Sequence, residues 1–479
     1  MHDTAPDPRR WKALALLCSA FFMVVLDVAI VNVALPSIGT DLQFAREDLQ
    51  WVVTAYTLTF GGLLLLGGRA ADLLGRRSVF MVGVALFTLA SLACGLADSD
   101  SFLIGARAVQ GIGAAIVSPA ALSIITTTFT EGSERNKALG AWGGVGGSGA
   151  AAGVLFGGIL TKYLGWEWIF FVNLFVGVGV FALTPVLVRE SRVSTEQRRY
   201  DPLGALSVTA SLVALVYAIS QAPAEGWGSF QTIGLLVLSA LLMAAFLVIE
   251  SRAASPLMPL GIFRNRLLSA ANVIGFLLGA ALFGMFFSLT FYMQSVLDFS
   301  ALQTGIGFLA TAGTSVIAAG FSQALVTRVG PRPVMLVGFS LLTFGLLWYT
   351  QIDADGSYVI DLLPGFVATG IGLAFCFIPV SIAALAGVEP REAGLASGLI
   401  NTSQQIGGAI GVAVVSTVAT THTATLLADG TPPPEALTGG FRWAFWVGAA
   451  IAAAGLASAL LLIRGKELPA DAATLNAPA

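Results

Sequence analysis

The chain has 479 residues, of which 56% are hydrophobic and only 11% are charged. Because an ordinary soluble domain is about 25% charged, this composition excludes a protein built from water-soluble domains. The net charge of −3 at pH 7 is small, and it gives no basis for nucleic-acid binding, which we do not expect.

Apolar runs of the length needed to cross a membrane, about 20 residues, follow one another along the whole chain. The first run begins after Lys12 and is too long for the apolar region of a signal peptide, so we predict a retained first span. The sequence therefore predicts an all-α integral membrane protein with 14 transmembrane helices. The predicted spans are 13–35, 51–71, 78–97, 102–125, 137–160, 168–188, 203–221, 230–250, 268–292, 303–326, 333–351, 361–386, 394–420 and 441–463.

The order of the spans indicates two related halves. A short basic turn around a glycine follows the second span of each half, at Gly75 and again at Gly330, and the fifth span of each half is rich in glycine. Parallel repeats of this kind are a feature of transporters, which hold substrate at the interface between the halves. We predict a six-helix bundle over 13–188 and a second six-helix bundle over 268–463, with tails at 1–12 and 464–479 and two linker helices over 203–250. The linker helices carry few polar groups, which suggests a lipid-facing position between the two bundles and not a second transport pathway.

Lysine and arginine are distributed unevenly between the two sides of the predicted membrane. With the amino terminus in the cytoplasm, 20 of the 24 such residues lie on the cytoplasmic side and 3 on the opposite side, and Arg107 lies within a span. The positive-inside rule then places both termini in the cytoplasm. We expect a multi-pass protein of a bacterial cytoplasmic (inner) membrane.

The sequence gives no sign of a cofactor. It contains no GxxxxGK[ST] phosphate-binding loop, so we expect no bound nucleotide. The three cysteines and two histidines lie far apart along the chain, so we expect neither a disulfide framework nor a metal site. Energy for transport, if it is used, comes from an ion gradient or from a partner protein.

One acidic residue, Asp27, and one basic residue, Arg107, lie well inside predicted spans. A charge in this position costs at least about 2.5 kcal/mol, so it is expected to face a cavity or a partner. At a rise of 1.5 Å per residue, the two side chains lie about 12 Å and 9 Å below the same membrane boundary, which is compatible with a pair. We predict proton coupling at Asp27 with Arg107. The alternative is a permanent salt bridge that fixes the first span against the fourth.

Uncharged polar residues within the spans are candidates for contact with substrate, although most such groups only hydrogen-bond to neighbouring helices. Gln110 lies three residues beyond Arg107, on the same helix face. Asn173 and Gln323 belong to the same class of residue. The candidates for the substrate cavity are Asn32, Gln110, Asn272 and Gln294.

The fifth span carries glycines at a spacing of four residues, which places them on one helix face and allows two backbones to approach closely. Tight packing is expected of such a face, and the same face is a candidate for sliding or rocking between conformations. The helix-packing glycines of this span are Gly149, Gly153, Gly157 and Gly158.

Four motifs occur in order on the predicted helices: LDVAIVNVALP at 26–36, GRAADLLGRRSVF at 68–80, LIGARAVQGIGAA at 103–115 and WEWIFFVN at 166–173. Together they resemble the fourteen-helix drug:proton antiporters of the major facilitator superfamily, and the resemblance extends over essentially the whole chain. Ala70 and Leu73 depart from the family's loop motif. The positions that match that motif are Gly68, Asp72, Gly75, Arg76 and Arg77.

The resemblance implies a secondary active efflux transporter that works by alternating access between two bundles. It implies export of small amphipathic molecules in exchange for protons, with Asp27 and Arg107 at the proton site. It also implies that Asp72 and the basic turn Arg76-Arg77 lock the cytoplasmic side in the outward-open state. The partners would be the substrate, protons and membrane lipid. Val154 stands where the family's antiporter motif has proline, so the fifth helix is expected to be straighter.

Three other functions remain open from the sequence. A dedicated exporter of one endogenous metabolite or antibiotic would share every feature above. A proton-independent facilitator or a sensor would move or bind solute without using Asp27. A membrane-embedded enzyme would need several converging catalytic groups. The predicted spans hold one embedded acid and no embedded histidine, so we expect no enzymatic activity.

Overall fold

A computed structural model describes residues 8–45, 48–129, 133–191, 202–253, 256, 260–385 and 393–463 of the chain. Within these residues the secondary structure is helical, without a strand. The fourteen α-helices of the described residues are α1 Arg10–Asp41, α2 Trp51–Leu74, α3 Arg76–Gly95, α4 Asp100–Thr128, α5 Ser133–Tyr163, α6 Trp168–Leu187, α7 Pro202–Glu225, α8 Phe230–Arg252, α9 Arg266–Ser295, α10 Ala301–Val329, α11 Pro331–Tyr349, α12 Leu363–Leu385, α13 Ala393–Ala428 and α14 Pro433–Leu462.

Eleven helices in the described part of the chain are long and apolar enough to cross a membrane. The apolar stretches of α2 and α7 are shorter, at Trp51–Leu64 and Leu206–Ile219, and α5 is less hydrophobic because of its glycines. The protein is therefore an all-helical membrane protein.

Several helices are longer than the predicted spans. The first span is predicted over 13–35, but α1 has 32 residues and continues through Pro36 to Asp41. The thirteenth is predicted over 394–420, but α13 runs on to Ala428. Hydropathy marks only the part of a helix that matches the hydrocarbon core, whereas backbone hydrogen bonding continues into the polar flanks and tilted helices need extra length. The predicted tails, except for residues 8–12, lie outside the described residues.

The same backbone turn occurs at corresponding points of the two halves. Gly75 ends α2 and begins α3 with φ 117°, and Gly330 ends α10 and begins α11 with φ 82°. Positive φ is rarely adopted by residues with a side chain, so glycine is required at both turns. This correspondence agrees with a repeated arrangement of helices.

Helices α1–α6 pack mainly against one another, and so do α9–α14. The two groups meet where α5 contacts α10 and where α2 contacts α13. Helix α8 is largely exposed, as suggested for a lipid-facing linker, and it packs on α7. Helix α7 also contacts α2 and α13, one helix of each group, and so lies between the two groups.

Two faces of the molecule are used below. The terminal face is the one at which α1 begins and α14 ends, and the distal face is the one at which α1 ends and α2 begins. Close contacts between α5 and α10 lie towards the distal face, where a Cβ added to Gly158 would be 2.7 Å from the carbonyl oxygen of Ala301. Nearer the terminal face, a Cβ added to Gly313 or Gly320 of α10 would meet no atom of the described residues within 4 Å. The two groups are thus in contact at the distal face.

Candidate functional site

Asp27 lies in the middle of α1 and is completely buried, with 0% of its surface exposed. Arg107 of α4 is 1% exposed, and its Nη1 donates a hydrogen bond to Asp27 Oδ2 over 2.6 Å. The structure therefore brings together the two charges that the sequence places at similar depth. An ion pair buried in this way needs further hydrogen bonds to offset the loss of hydration.

Arg107 makes these further contacts with α2 and within α4. Its Nε donates to the carbonyl oxygen of Val52 over 2.8 Å, and its Nη1 also donates to Gln110 Oε1 over 2.6 Å. The guanidinium lies over two aromatic rings. Its Cζ is 4.3 Å from the ring centroid of Tyr56 and 5.7 Å from the ring centroid of Phe170. Cation–π contacts of this kind stabilise a desolvated charge by about 2 kcal/mol.

The carboxylate of Asp27 accepts hydrogen bonds from two amides as well as from the arginine. Gln110 Nε2 and Asn173 Nδ2 each donate to Asp27 Oδ1 over 2.8 Å. Gln110 Nε2 also donates to Ser91 Oγ over 2.7 Å. We call Asp27, Ser91, Arg107, Gln110 and Asn173 the carboxylate network. Helices α1, α3, α4 and α6 supply its side chains, so any change at Asp27 is transmitted to four helices.

Two polar atoms beside the network have no hydrogen-bond partner among the described residues: Asn173 Oδ1 and Tyr56 Oη. Both side chains are almost completely buried. Asn173 therefore has an unused acceptor next to Asp27, and an amide can present either its donor or its acceptor to a neighbouring group. The network can satisfy a carboxylate as it stands, and a protonated carboxyl after rotation of one amide.

The sequence did not single out Ser91 or Tyr56. Each is one of several hydroxyl-bearing residues in its span. Helical spacing does not show which of their side chains faces another helix. Asn173 was included among the polar groups of the spans but not among the substrate candidates.

The other predicted cavity residues lie apart from the carboxylate network. Asn32 Nδ2 donates to Val28 O of its own helix over 2.8 Å. Asn272 Oδ1 accepts from Ser403 Oγ over 2.7 Å, which joins α9 to α13. Of the predicted candidates, only Gln110 belongs to the network.

Gln294 makes a contact between the two groups of helices. Its Nε2 in α9 donates to the carbonyl oxygen of Val33 in α1 over 2.8 Å. Both residues lie towards the distal face. The hydrogen bond therefore helps to hold the two groups together at that face.

The glycines of α5 divide between two neighbours. A Cβ added to Gly153 or Gly157 would lie 2.8 Å and 2.9 Å from backbone oxygens of α1, and one added to Gly149 would lie 3.2 Å from Val25 of the same helix. Gly158 instead faces α10, as described above. A Cβ on Gly305 of α10 would lie 2.6 Å from the carbonyl oxygen of Val154. Three glycines thus pack α5 on α1, and the fourth packs it on the other half.

The loop motif is joined to the end of α6. Arg77 N and Ser78 N each donate to a carboxylate oxygen of Glu190 over 3.1 Å, and Ser78 Oγ donates to the same carboxylate. Arg76 N donates to Ser191 O over 3.1 Å. Burial raises the pKa of Glu190, whereas the hydrogen bonds from Ser78, Arg77 and Ser191 lower it. The hydrogen bonds together outweigh burial, so the pKa of Glu190 lies below the ordinary value.

Two positions of the loop motif lie in α2. A Cβ added to Gly68 would be 3.3 Å from the ring of Pro119 in α4, so this glycine allows close packing of the two helices. Asp72 is also part of α2, but its side chain lies outside the part of the chain that the structure describes. In the described residues, no group of three or more His, Cys, Asp or Glu side chains could hold a metal ion.

Comparison with known proteins agrees with this architecture. The family model of the Major Facilitator Superfamily matches residues 17–412. The chain is 43% identical over 442 residues to the puromycin resistance protein pur8 of Streptomyces alboniger, covering 91% of this chain and 87% of that protein. It is 41% identical to the cephamycin export protein CmcT of Amycolatopsis lactamdurans, covering 85% and 84% of the two chains.

Solved structures of low sequence identity share the fold. A bacterial homologue of the lysosomal transporter Spinster, in an inward-facing conformation, superposes with a TM-score of 0.68 at 16% identity and covers 97% of this chain and 98% of that chain. An auto-inhibited peptide transporter of the POT family gives a TM-score of 0.69 at 15% identity, with 96% and 99% coverage. The chain therefore belongs to the major facilitator superfamily of membrane transporters.

Proposed function

We propose that this protein is a secondary active transporter that exports small amphipathic molecules, such as antibiotics, in exchange for protons. The observation that carries the proposal is the carboxylate network, in which one acid is buried against one arginine inside a bundle of apolar helices. The names of its relatives, which refer to resistance to puromycin and export of cephamycin, support the direction of transport and the class of substrate. A proton gradient serves as the energy source, and no cofactor is required.

Asp27 is the proton site in this proposal. Protonation removes the negative charge that pairs with Arg107 and leaves the arginine buried without its counter-ion, which is costly. The protein lowers this cost by moving α1 relative to α4 and exposing the site to a different side of the membrane. One charge moving through 100 mV releases about 2.3 kcal/mol, which is available to drive the substrate uphill.

The proposed membrane topology has fourteen spans. The bundles comprise 13–188 and 268–463, the linker helices lie within 203–250, and both termini lie on the cytoplasmic side of a bacterial inner membrane. The terminal face is then cytoplasmic, and contact between the halves at the distal face corresponds to an inward-facing state. Arg76 and Arg77, together with Asp72 of α2 and Gly68, form the gate that closes the cytoplasmic side in the opposite state.

The polar residues on the facing helices of the two bundles would contribute to substrate contact. Asn32 lies five residues beyond Asp27 on α1, and its Oδ1 is buried without a hydrogen-bond partner among the described residues. Asn272 and Gln294 lie on α9, the corresponding first helix of the second bundle. In this proposal Gln294 contacts substrate after the halves separate and its hydrogen bond to Val33 is released. Asn272 contacts substrate by exchanging its hydrogen bond to Ser403 within the second bundle.

A dedicated exporter of a single antibiotic is the second candidate function. It is favoured by the relatives whose names each refer to one antibiotic, among them a tetracenomycin C resistance and export protein of Streptomyces glaucescens that is 35% identical over 408 residues. The two candidates share the proton mechanism. They differ in whether several unrelated amphipathic compounds, or only one, drive proton movement.

The test uses the purified full-length protein in liposomes that contain a pH-sensitive dye. A proton gradient is imposed, and a panel of amphipathic cations, zwitterions and neutral drugs is then added one compound at a time. Proton movement is compared between wild type and Asp27→Asn. We expect substrate-triggered proton movement in wild type and none in the variant. Asp41→Asn is the matched control, because Asp41 is an acid of the same helix whose carboxylate accepts only from Trp166 Nε1, over 2.8 Å, among the bonds described.

Two results would contradict the proposal. Substrate flux that is independent of pH and unaffected by Asp27→Asn would identify a facilitator. Equal loss of proton movement in Asp27→Asn and in Asp41→Asn would show that the effect is not specific to the carboxylate network.

A further inference from the structure

A groove on the distal half of the second bundle has no part in the proposed transport pathway. It is a cavity of about 400 Å³ between α14, the end of α13 and the end of α11. This volume lies within the range of small-ligand sites, about 300–1,000 Å³. Its lining includes His422 and Leu426 of α13, and Glu435, Arg442, Trp443 and Trp446 of α14.

The lining residues of α14 form one helix face with a definite order of charge. Arg442 lies seven residues beyond Glu435, which is two helical turns, and Trp446 lies one turn further. Since α14 begins at the distal face with Pro433, the carboxylate is outermost. At 1.5 Å per residue, the guanidinium is attached about 10 Å deeper than the carboxylate, and the second indole about 6 Å deeper still.

Arg442 is held in a fixed orientation by the segment that follows α11. Its Nε donates to the carbonyl oxygen of Ile352 over 2.6 Å, and its Nη2 pairs with Asp353. A guanidinium has five N–H groups, so these two bonds leave three for a ligand in the groove. Preorganised arginines of this kind favour phosphate, which they bind through two parallel hydrogen bonds.

The two tryptophans of the groove are about half exposed, Trp443 at 51% and Trp446 at 50%. The ring of His422 lies 5.3 Å from that of Trp443, which fixes one side of the groove. In a protein surrounded by lipid, exposed indoles near the end of a span mark the boundary between head groups and acyl chains. The groove therefore opens towards the lipid head-group region of the distal leaflet.

We propose that this groove binds an aminophospholipid of the distal leaflet. The ammonium group pairs with Glu435, the phosphate binds Arg442, and the glycerol and first acyl carbons lie against Trp446. The order of groups with depth is the same in the lipid and in the protein: ammonium outermost, phosphate below it, apolar chains deepest. An anionic lipid without an amine would place a second negative group beside Glu435, and so it binds less well.

The proposal is tested by native mass spectrometry of the purified full-length protein in detergent, titrated with phosphatidylethanolamine or phosphatidylglycerol. In wild type we expect phosphatidylethanolamine to bind about tenfold more tightly than phosphatidylglycerol, because the latter has no ammonium group to pair with Glu435. Glu435→Gln removes this preference, because the ammonium loses its counter-charge. Trp446→Leu weakens binding of both lipids. Trp168→Leu is the matched control, since Trp168 is also a partly exposed indole near the distal face but lies on α6, and we expect it to bind as wild type does.

Two further experiments complete the test. The first distinguishes binding of the intact lipid from binding of its free head group, and the second distinguishes the planar pair of donors of Arg442 from a simple positive charge. Free phosphoethanolamine supplies the same head group without acyl chains, and we expect no bound adduct at concentrations that saturate the lipid site. Arg442→Lys keeps the charge but loses the planar pair of donors, and we expect binding to fall while the thermal midpoint is retained. Equal binding of the two lipids to wild type would overturn the proposal. So would a preference for phosphatidylethanolamine that persists in Glu435→Gln, or tight binding of free phosphoethanolamine.

Discussion

Arg107 Nη1 lies 2.6 Å from Asp27 Oδ2, and neither side chain has more than 1% of its surface exposed. Removing one member of such a pair leaves the other charged and without a counter-ion. We expect Arg107→Gln to lower the free energy of unfolding by about 3–5 kcal/mol. The double variant Asp27→Asn with Arg107→Gln should lose less, because no unpaired charge remains.

Thermal denaturation of the two single variants and the double variant in one detergent measures this difference. A double variant whose midpoint falls by the sum of the two single effects would contradict the expectation, since additive losses mean that the residues act independently.

Gly158 controls how closely α5 approaches α10. A Cβ at this position would be 2.7 Å from a backbone oxygen of Ala301, and backbone cannot rotate away as a side chain can. Gly158→Ala should therefore push the helices apart at the distal face and favour the conformation in which that face is open. Electron paramagnetic resonance distance measurements between spin labels at the distal ends of α5 and α10 should show an increase of about 1 Å, since the 2.7 Å contact must lengthen to the ordinary van der Waals range of 3.4–4 Å.

Gly179→Ala provides the control for this measurement. Gly179 lies in α6, and a Cβ there would meet no atom within 4 Å in the part of the chain that the structure describes, so the distance between the labels should not change. If Gly158→Ala also leaves the distance unchanged, the contact does not limit the approach of the two helices.

The sequence predicts the elements and the pairing of charges better than it predicts lateral contacts. Depth in the membrane follows from the helical rise, so the similar depth of Asp27 and Arg107 can be calculated from residue numbers alone. Whether Gln294 faces a ligand or Val33 depends on the rotation and tilt of two helices that are far apart in sequence. A position of α7 between the bundles could be predicted, but its particular neighbours α2 and α13 could not, since an apolar surface suits lipid and protein equally well.

Gln294→Leu removes the hydrogen bond to Val33 O while keeping a side chain of similar size. One hydrogen bond contributes about 1 kcal/mol, so we expect the equilibrium between distal-closed and distal-open states to shift about fivefold towards the open state. The spin labels described for Gly158 measure the two populations. Asn272→Leu breaks a bond within the second bundle, to Ser403, and should leave the populations as in wild type; an equal shift in both variants would argue against a role for Gln294 between the halves.

Glu190, just beyond the end of α6, accepts hydrogen bonds from the start of α3, and we expect this link to be strongest while the carboxylate is ionised. Its pKa in the folded protein lies below the ordinary value, which is about 4.3 for glutamate. A lowered pKa means that its contribution to stability is complete above about pH 4.3 and is lost as the pH falls through the folded pKa. Glu190→Gln should therefore lower the thermal midpoint at pH 7, by an amount equivalent to about 1 kcal/mol for the lost acceptor at the start of α3.

The difference between wild type and Glu190→Gln should shrink as the pH is lowered below about 4.3, because the wild-type carboxyl then becomes neutral as well. Thermal midpoints of both proteins between pH 7 and pH 3.5 check this. Glu225→Gln is the control, since Glu225 is an exposed acid at the end of α7 and should change the midpoint little at any pH. A difference for Glu190→Gln that is constant over the whole range would show that the hydrogen bonds of the side chain, and not its charge, hold α3 against the end of α6.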